Sequence, residues 1–342
     1  MKNTQIRLAT RPLGPPKDTN FLVDHNEVRP LATNEILVKN LYLSIDPAMR
    51  SWMNDGKSYI GSVPIGGIMR ALGTGVVVES RNAIYKPGQH VYADLGMQAF
   101  ALLSEKHLND PVYGGRPYFV DAAVPLPTYL GALGLPGMTA YFGLLRVGQL
   151  RAGETVVISG AAGGVGSIAG QIAKLKGCRV VGITSSDEKC QALVNAFGFD
   201  VGLNYKTGKI REKLDAACPE GVDLFFDNVG GDVLNAVLGS LRQGGRVILS
   251  GAVSQYNNMR FMQGPANYLS LIVNRARMEG FVGTDFYDEF ELARTDIQGW
   301  IDAGLLNAES HIVPGKVDVF VDLIGQLFSG QNVGKMVLEV HS

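Results

Sequence analysis

Two textures of hydrophobic and polar residues divide the chain. Over residues 4–42 apolar and polar positions alternate in short stretches such as Glu35-Ile36-Leu37-Val38-Lys39, interrupted by Pro12, Pro15, Pro16 and Pro30. A period of two with proline punctuation predicts short strands in an irregular β domain. Between residues 66 and 91 the glycines, the Val76-Val77-Val78 run and the Lys86-Pro87-Gly88 turn signal predict strand, turn and strand of a small barrel, and no helical period persists there. The texture shifts at Val124-Pro125-Leu126-Pro127, which places a boundary near residue 128.

Beyond residue 155, short apolar runs alternate with amphipathic stretches, the pattern of a parallel sheet with crossover helices. Strands are expected at Thr155–Ser159, Arg179–Thr184, Val201–Asn204, Val222–Asp227, 246–250 and 277–282. Between the first two, Val165, Ile168, Ala169, Ile172 and Ala173 mark one helical face, which stops at Lys176-Gly177. Helices are expected at 289–303 and 317–328, and a last strand at Lys335–Val340 is expected to return to the first domain. The reading is an α/β protein: residues 1–128, completed by 306–342, form the β domain, and 129–305 form the doubly wound domain.

The sharpest chemical signal lies where the first of these strands ends, in Ser159-Gly160-Ala161-Ala162-Gly163-Gly164-Val165-Gly166. Ala161, Gly163 and Gly166 occupy the positions of a GxGxxG turn, with alanine at the first. Small residues there let the chain turn tightly, bring backbone N–H groups and a positive helix end toward a pyrophosphate, and seat the helix on the sheet. Taken alone, such a turn also suits any glycine-rich α/β protein; the strand-turn-helix context points to a dinucleotide.

Cofactor choice should be written at the tip of the second strand, where an acidic residue would bind the adenosine ribose of NAD. That tip reads Thr184-Ser185-Ser186, without a carboxylate, and Lys189 follows one helical turn after Ser185. Hydroxyls, helix N–H groups and an ammonium suit a 2′-phosphate, so NADP is favoured. The alternative makes Ser185 or Ser186 an ordinary N-cap and Lys189 a solvated side chain, and nearby Asp187 and Glu188 keep it open. Asp227-Asn228-Val229-Gly230-Gly231 and Ser250-Gly251-Ala252 end two further strands, which places Asn228 and the backbone of 251–254 to meet ribose and nicotinamide; without the phosphate motif they would be ordinary turns.

Composition narrows the function classes. The 342 residues carry 31 basic and 32 acidic side chains, so no broad field collects nucleic acid or an anionic membrane surface. No apolar run approaches the roughly 18–20 residues needed to span a bilayer, and the N-terminus leads into no apolar signal core. Three cysteines, Cys178, Cys190 and Cys218, form no CxxC pair, which fits a reducing, cytoplasmic setting. The five histidines are scattered and the cysteines all fall in the nucleotide domain, so no zinc site is expected. Neither a G-x-S-x-G elbow nor a P-loop is present.

Across essentially its whole length the chain resembles the zinc-independent medium-chain dehydrogenases/reductases, in the branch of prostaglandin, alkenal and curcumin reductases. The resemblance rests on Leu43-Ser44-Ile45-Asp46-Pro47-Ala48-Met49-Arg50, Leu135-Pro136-Gly137-Met138-Thr139-Ala140-Tyr141, the Ala162-Gly163-Gly164-Val165 turn, Lys174-Leu175-Lys176-Gly177-Cys178, Asp227-Asn228-Val229-Gly230-Gly231 and Gly334-Lys335. It implies a GroES-like β-barrel catalytic domain, a Rossmann domain, and a homodimer. It implies NADPH bound by Ala162, Gly163, Gly164 and Val165, by Lys189, Tyr205 and Asn228, by Ser250, Gly251, Ala252, Val253, Ser254 and Tyr256, by Phe281, Val282 and Gly283, and by Asn332.

The branch reduces the carbon–carbon double bond of α,β-unsaturated ketones and aldehydes: hydride reaches the β-carbon, the carbonyl oxygen gathers charge and the α-carbon is protonated. A small apolar enone or enal is therefore the expected partner. A tyrosine that the branch often places near the substrate carbonyl falls on Val273 here, and Tyr268 lies five residues earlier. Tyr59, in a segment similar to one of curcumin reductases, is the preferred hydrogen-bond donor, with Tyr256 second; Tyr59 reads equally as a loop residue that merely packs. Met49, Trp52 and Met53 either wall an apolar pocket or belong to the core. A quinone oxidoreductase is the nearest alternative, and an NADPH sensor without catalysis is the alternative from another class.

Overall fold

The alternating stretches at the N-terminus become strands whose inward positions are apolar. Ile6 and Leu8 of β1 (Lys2–Leu8) are fully buried, and β1 pairs antiparallel with β2 (Phe21–Glu27). β3 (Ile36–Ser44) is the spine of the next sheet: it pairs with β4 (Leu72–Ser80), which pairs with β5 (His90–Asp94), while β6 (Phe100–Leu103) also lies on β3 and β7 (Tyr118–Phe119) on β5. Backbone bonds from Ile6 to Met97 and from Met69 to Ile6 tie β1 to two of the loops that curl this sheet toward a barrel. Two short helices, α1 (Ala48–Trp52) and α2 (Glu105–Asn109), interrupt it. This is a computed structural model, and it describes residues 1–56, 58–109 and 116–341.

The second texture forms a six-stranded parallel sheet. It is preceded by α3 (Leu135–Phe142) and contains in chain order β8 (Thr155–Ser159), α4 (Gly164–Leu175), β9 (Arg179–Thr184), α5 (Asp187–Phe197), β10 (Val201–Asn204), α6 (Ile210–Ala217), β11 (Val222–Asp227), α7 (Gly231–Leu238), β12 (Leu241–Leu249), α8 (Ser270–Val273), β13 (Arg277–Gly280) and α9 (Phe290–Asp302). The spatial order β10-β9-β8-β11-β12-β13 reverses direction between β8 and β11. At such a switch point two crossovers leave opposite faces, and a crevice opens at the strands' carboxyl ends. Val157, Val181, Phe225 and Val247, aligned on neighbouring strands, are all fully buried.

The chain then adds β14 (Ser310–Gly315), α10 (Phe320–Ser329) and β15 (Lys335–Val340). β15 pairs antiparallel with β3 and parallel with β14. Two units result, Met1–Leu130 with Ser310–Gln331 and Lys335–Ser342, and Gly131–Glu309 with Asn332–Gly334.

Several boundaries differ from the periodicity reading. β12 starts at Leu241 rather than 246, because Leu241 pairs with Val222 and the register then shifts past Gly244 and Gly245. β13 stops at Gly280 rather than 282, and the helix read at 317–328 opens with a 3₁₀ turn, Val317–Val319, before α10. α4 does not bury one face alone: Ser167, Gly170 and Gln171 are buried as well. Its far side is covered, since Gln171 exchanges hydrogen bonds with Asn307 and Phe199 sits against Gly170.

Candidate functional site

The glycine turn after β8 is shaped by contacts too close for side chains. Gly160 takes φ 57°, the left-handed region open to glycine, and a Cβ on Gly166 would lie 2.4 Å from the Gly160 carbonyl oxygen and 2.7 Å from Ala161 Cα. Helix α4 is thereby pressed against the turn that feeds it. Its first bond runs from Ser167 N–H to the Gly163 carbonyl at 3.0 Å, which leaves the N–H groups of Gly164, Val165 and Gly166 without helical acceptors. Gly163 caps the helix with no side chain, so no capping side chain competes for those donors.

The loops after β11 and β12 are stitched to one another and to β8. Asp227, at the end of β11, is fully buried; it accepts from the Ser159 hydroxyl at 2.6 Å and from the N–H groups of Val229 and Gly230. The same Ser159 hydroxyl accepts from Asn228 N–H at 2.8 Å, and the Asn228 amide donates to the Ser159 carbonyl at 2.7 Å. Burial pushes the Asp227 carboxyl up, against these donors. Ser250 and Gly251 donate to the Asp227 carbonyl, Val253 to that of Asn228, and both the backbone and the hydroxyl of Ser254 to that of Val229. The Tyr256 hydroxyl accepts from Ala252 N–H at 3.3 Å, and burial raises its pKa.

Asn332 reaches this edge from the far end of the chain. Its amide donates to the Gly334 carbonyl at 2.8 Å, and Gly334 N–H donates to the Ala162 carbonyl at 2.8 Å, so the segment lies against the glycine turn. Val282 and Gly283 follow β13, while the Phe281 ring turns inward beside Phe226. The turn residues 162–165, Asn228, 250–256 and Asn332 are thus brought together around the carboxyl ends of β8, β11 and β12.

At the ends of β9 and β10 the geometry is cationic. Ser186 is the N-cap of α5 and accepts from Lys189 N–H at 3.3 Å, as the ordinary capping alternative had it. Lys189 itself is half-buried; burial first, then the neighbouring Lys206 ammonium, lowers its pKa. The Asn204 side chain links the segments that carry the two lysines, since its Nδ2 donates to Asp187 on α5 at 2.9 Å and its Oδ1 accepts from Lys206 N–H at 3.0 Å. Among the described residues neither ammonium has an ion-pair partner, whereas Lys174 and Lys209 do. Tyr205 is exposed beside them.

Sequence reasoning quoted Ser159 and Asp227 inside motifs without giving either a role, and did not name Lys206. A serine ending an otherwise apolar strand immediately before the glycine turn is the signal that could have found the first. Of the two readings of Met49, Trp52 and Met53, the structure bears out the core: all are at most 1% exposed and belong to one cluster with Ile45, Val63 and Leu338. Tyr59 lies in the β unit and is 56% exposed, and Val273 and Tyr268 are also exposed. Among the described residues no group of three or more His, Cys, Asp or Glu is placed to hold a metal ion, and no helix is long and apolar enough to cross a membrane.

Comparison with known proteins bears on the same two units. Residues 4–110 match the model of the N-terminal domain of oxidoreductases and residues 164–297 that of zinc-binding dehydrogenases. The chain is 39% identical to prostaglandin reductase 1 of Rattus norvegicus, over 95% of each chain, and 36% identical to the NADPH-dependent curcumin reductase of Escherichia coli, over 99% of this chain and 97% of that one. The crystal structure of CurA from Vibrio vulnificus in complex with NADPH superposes with a TM-score of 0.91 at 35% identity, covering 99% of both chains.

Proposed function

The chain belongs to the medium-chain dehydrogenases/reductases, in the branch of prostaglandin and curcumin reductases, and from that premise we propose that it is an NADPH-dependent reductase of the C=C bond of α,β-unsaturated ketones and aldehydes. The observation that carries the reading is the pairing, along one sheet edge, of three N–H groups without helical acceptors at the start of α4 and a half-buried lysine with no ion-pair partner among the described residues. Both features suit an anion, and they lie at the ends of the adjacent strands β8 and β9. NADPH, when bound, supplies the hydride that the β-carbon receives.

The chain's own residues would bind and orient. The donors at Gly164, Val165 and Gly166 hold the pyrophosphate, Lys189 the 2′-phosphate and Tyr205 the adenosine end. Asn228, with its backbone fixed by Ser159, and the loop 250–254 hold the nicotinamide ribose; Phe281, Val282, Gly283 and Asn332 complete the seat. Tyr59, with Tyr256 as the second candidate, is assigned as the phenol that hydrogen-bonds the carbonyl oxygen as it gathers charge. A phenol does this in its neutral form, and burial keeps Tyr256 neutral.

The same reading makes the protein a cytoplasmic homodimer. β13 is the outermost strand of its sheet, and Leu269, Ile272 and Val273 beside it are 57–71% exposed, which suits pairing with a second copy. Light scattering should return twice the chain mass of 36.7 kDa. The activity is tested by following NADPH oxidation with a panel of enones, enals and quinones and identifying the product: a saturated ketone or aldehyde is expected. NADPH binding without turnover of any enone or enal would refute the assignment.

A further inference from the structure

Three sets of contacts, among those of the described residues, hold the two sides of the loop that carries Tyr59. At its base the Arg11 guanidinium donates to the Met53 carbonyl at 2.8 Å and the Val63 carbonyl at 3.3 Å, and Val63 N–H donates to the Trp52 carbonyl at 2.8 Å. The third lies two residues after the tyrosine, where Arg70 Nη2 donates to the Gly61 carbonyl at 3.2 Å. Arg70 is itself held on two sides: its Nε faces Asp94 Oδ2 at 3.5 Å, and its guanidinium carbon stands 5.2 Å from the centre of the Trp52 ring. Its Nη1 is buried and has no hydrogen-bond partner among the described residues.

That arrangement is costly for the fold. Burying an ion pair seldom stabilises more than apolar residues of the same volume would, and a buried donor left unpaired adds to the penalty. The guanidinium is aimed by Asp94 and Trp52 toward Gly61 at the expense of its own hydrogen bonding. A group kept in such a position has a role that packing alone does not supply.

We propose that Arg70, oriented by Asp94 and Trp52, is a positioning residue that fixes the loop presenting Tyr59 to the substrate carbonyl. The proposal deepens the enone-reductase reading and rests on the Tyr59 assignment made there. It also makes the loop sensitive to the charge of Asp94. Burial raises the Asp94 carboxyl to about 6; the charged group facing it is Arg70, its other polar neighbours are the N–H groups of Ala71 and Gly96, and β4 sets Leu72 opposite it. Protonation below that pH removes the anion that aims Arg70.

The test is a double-mutant cycle on the full-length protein with NADPH and a simple enone such as 3-penten-2-one. Y59F and R70M should each lower kcat about tenfold, the equivalent of one hydrogen bond, with the Kd for NADPH unchanged. In R70M/Y59F the two losses should not multiply, because one acts through the other. R70K, which can keep one of the two polar contacts, should recover part of the loss if R70M folds poorly. In wild type kcat/KM should fall below about pH 6, and in D94N that limb should disappear. Multiplying losses, or an R70M or R70K enzyme with lowered Tm and wild-type enone kinetics, would overturn the inference while leaving Tyr59 in place. A neutral Y59F would overturn the Tyr59 assignment and the inference together.

Discussion

Gly166→Ala separates two effects of opposite sign whose sizes can be worked from the structure. Replacing a helical glycine by alanine ordinarily gains about 1 kcal/mol, because alanine has less backbone entropy to lose. At position 166 the added Cβ would lie 2.4 Å from the Gly160 carbonyl oxygen, 2.7 Å from Ala161 Cα and 3.0 Å from the Ala161 carbonyl carbon. These are backbone atoms of a turn that continues a buried strand, so relief requires α4 to withdraw rather than a side chain to rotate. Overpacking of this kind costs roughly 1–3 kcal/mol, and backbone contact puts this site at or above the upper end. The net expectation is a loss of about 2 kcal/mol, or about 4–8 °C in Tm for a domain of 150–250 residues. Withdrawing α4 also moves the N–H groups of 164–166 away from a pyrophosphate, so the Kd for NADPH should rise by about tenfold or more.

The control is Gly299→Ala in α9, where a Cβ would meet nothing within 4 Å; it should stabilise by about 1 kcal/mol and leave NADPH binding alone. Differential scanning calorimetry and a fluorescence titration with NADPH decide both. If Gly166→Ala melts and binds like wild type, the turn is not held by close approach, and the account of the glycine positions fails.

Three further outcomes follow from other contacts. Lys189→Ala should weaken NADPH about 10- to 100-fold, the worth of a charge-assisted hydrogen bond, and leave NADH unchanged, so the ratio of the two Kd values is the measurement. Ser159→Ala removes the one side-chain donor from buried Asp227 and the acceptor of Asn228 N–H; unfolding in urea should show a loss of about 1–3 kcal/mol, with weaker NADPH binding than stability alone would cause. Asp94 binds its proton more tightly folded, at about 6, than unfolded, at 3.8, so stability should rise as pH falls between those values. The two-unit shift corresponds to about 3 kcal/mol at most. Asp94→Asn should flatten that slope in a series of urea melts across the interval.

Much of the nucleotide unit was legible in the residues. The strands Thr155–Ser159, Arg179–Thr184, Val201–Asn204 and Val222–Asp227 run as read, because a strand covered on both faces is a short apolar run bounded by turn residues. The glycine turn was legible for the same local reason: backbone crowding between residues five or six apart in sequence demands small side chains wherever the chain goes next. Lys189 was legible as a cation beside a strand tip without a carboxylate. Its neighbour Lys206 was not, because Asn204 at the end of β10 links Asp187 of α5 to the Lys206 backbone, and single-sequence spacing carries no trace of that bridge.

By itself the sequence determined the class of chain: a short-strand β portion, a parallel sheet with crossover helices, and a glycine turn that joins the first strand of that sheet to a helix. These rest on periodicity and local sterics, which act over a few residues. The tertiary structure decided which distant residues serve that turn. It set Asn332 against Ala162 through Gly334, placed Ser159 between Asp227 and Asn228, moved Met49, Trp52 and Met53 into the core, and aimed Arg70 at Gly61 by means of Asp94 and Trp52. Such pairings are fixed by burial and hydrogen-bond satisfaction across the folded chain, and those forces have no counterpart in the order of residues until the sheet brings their partners within reach.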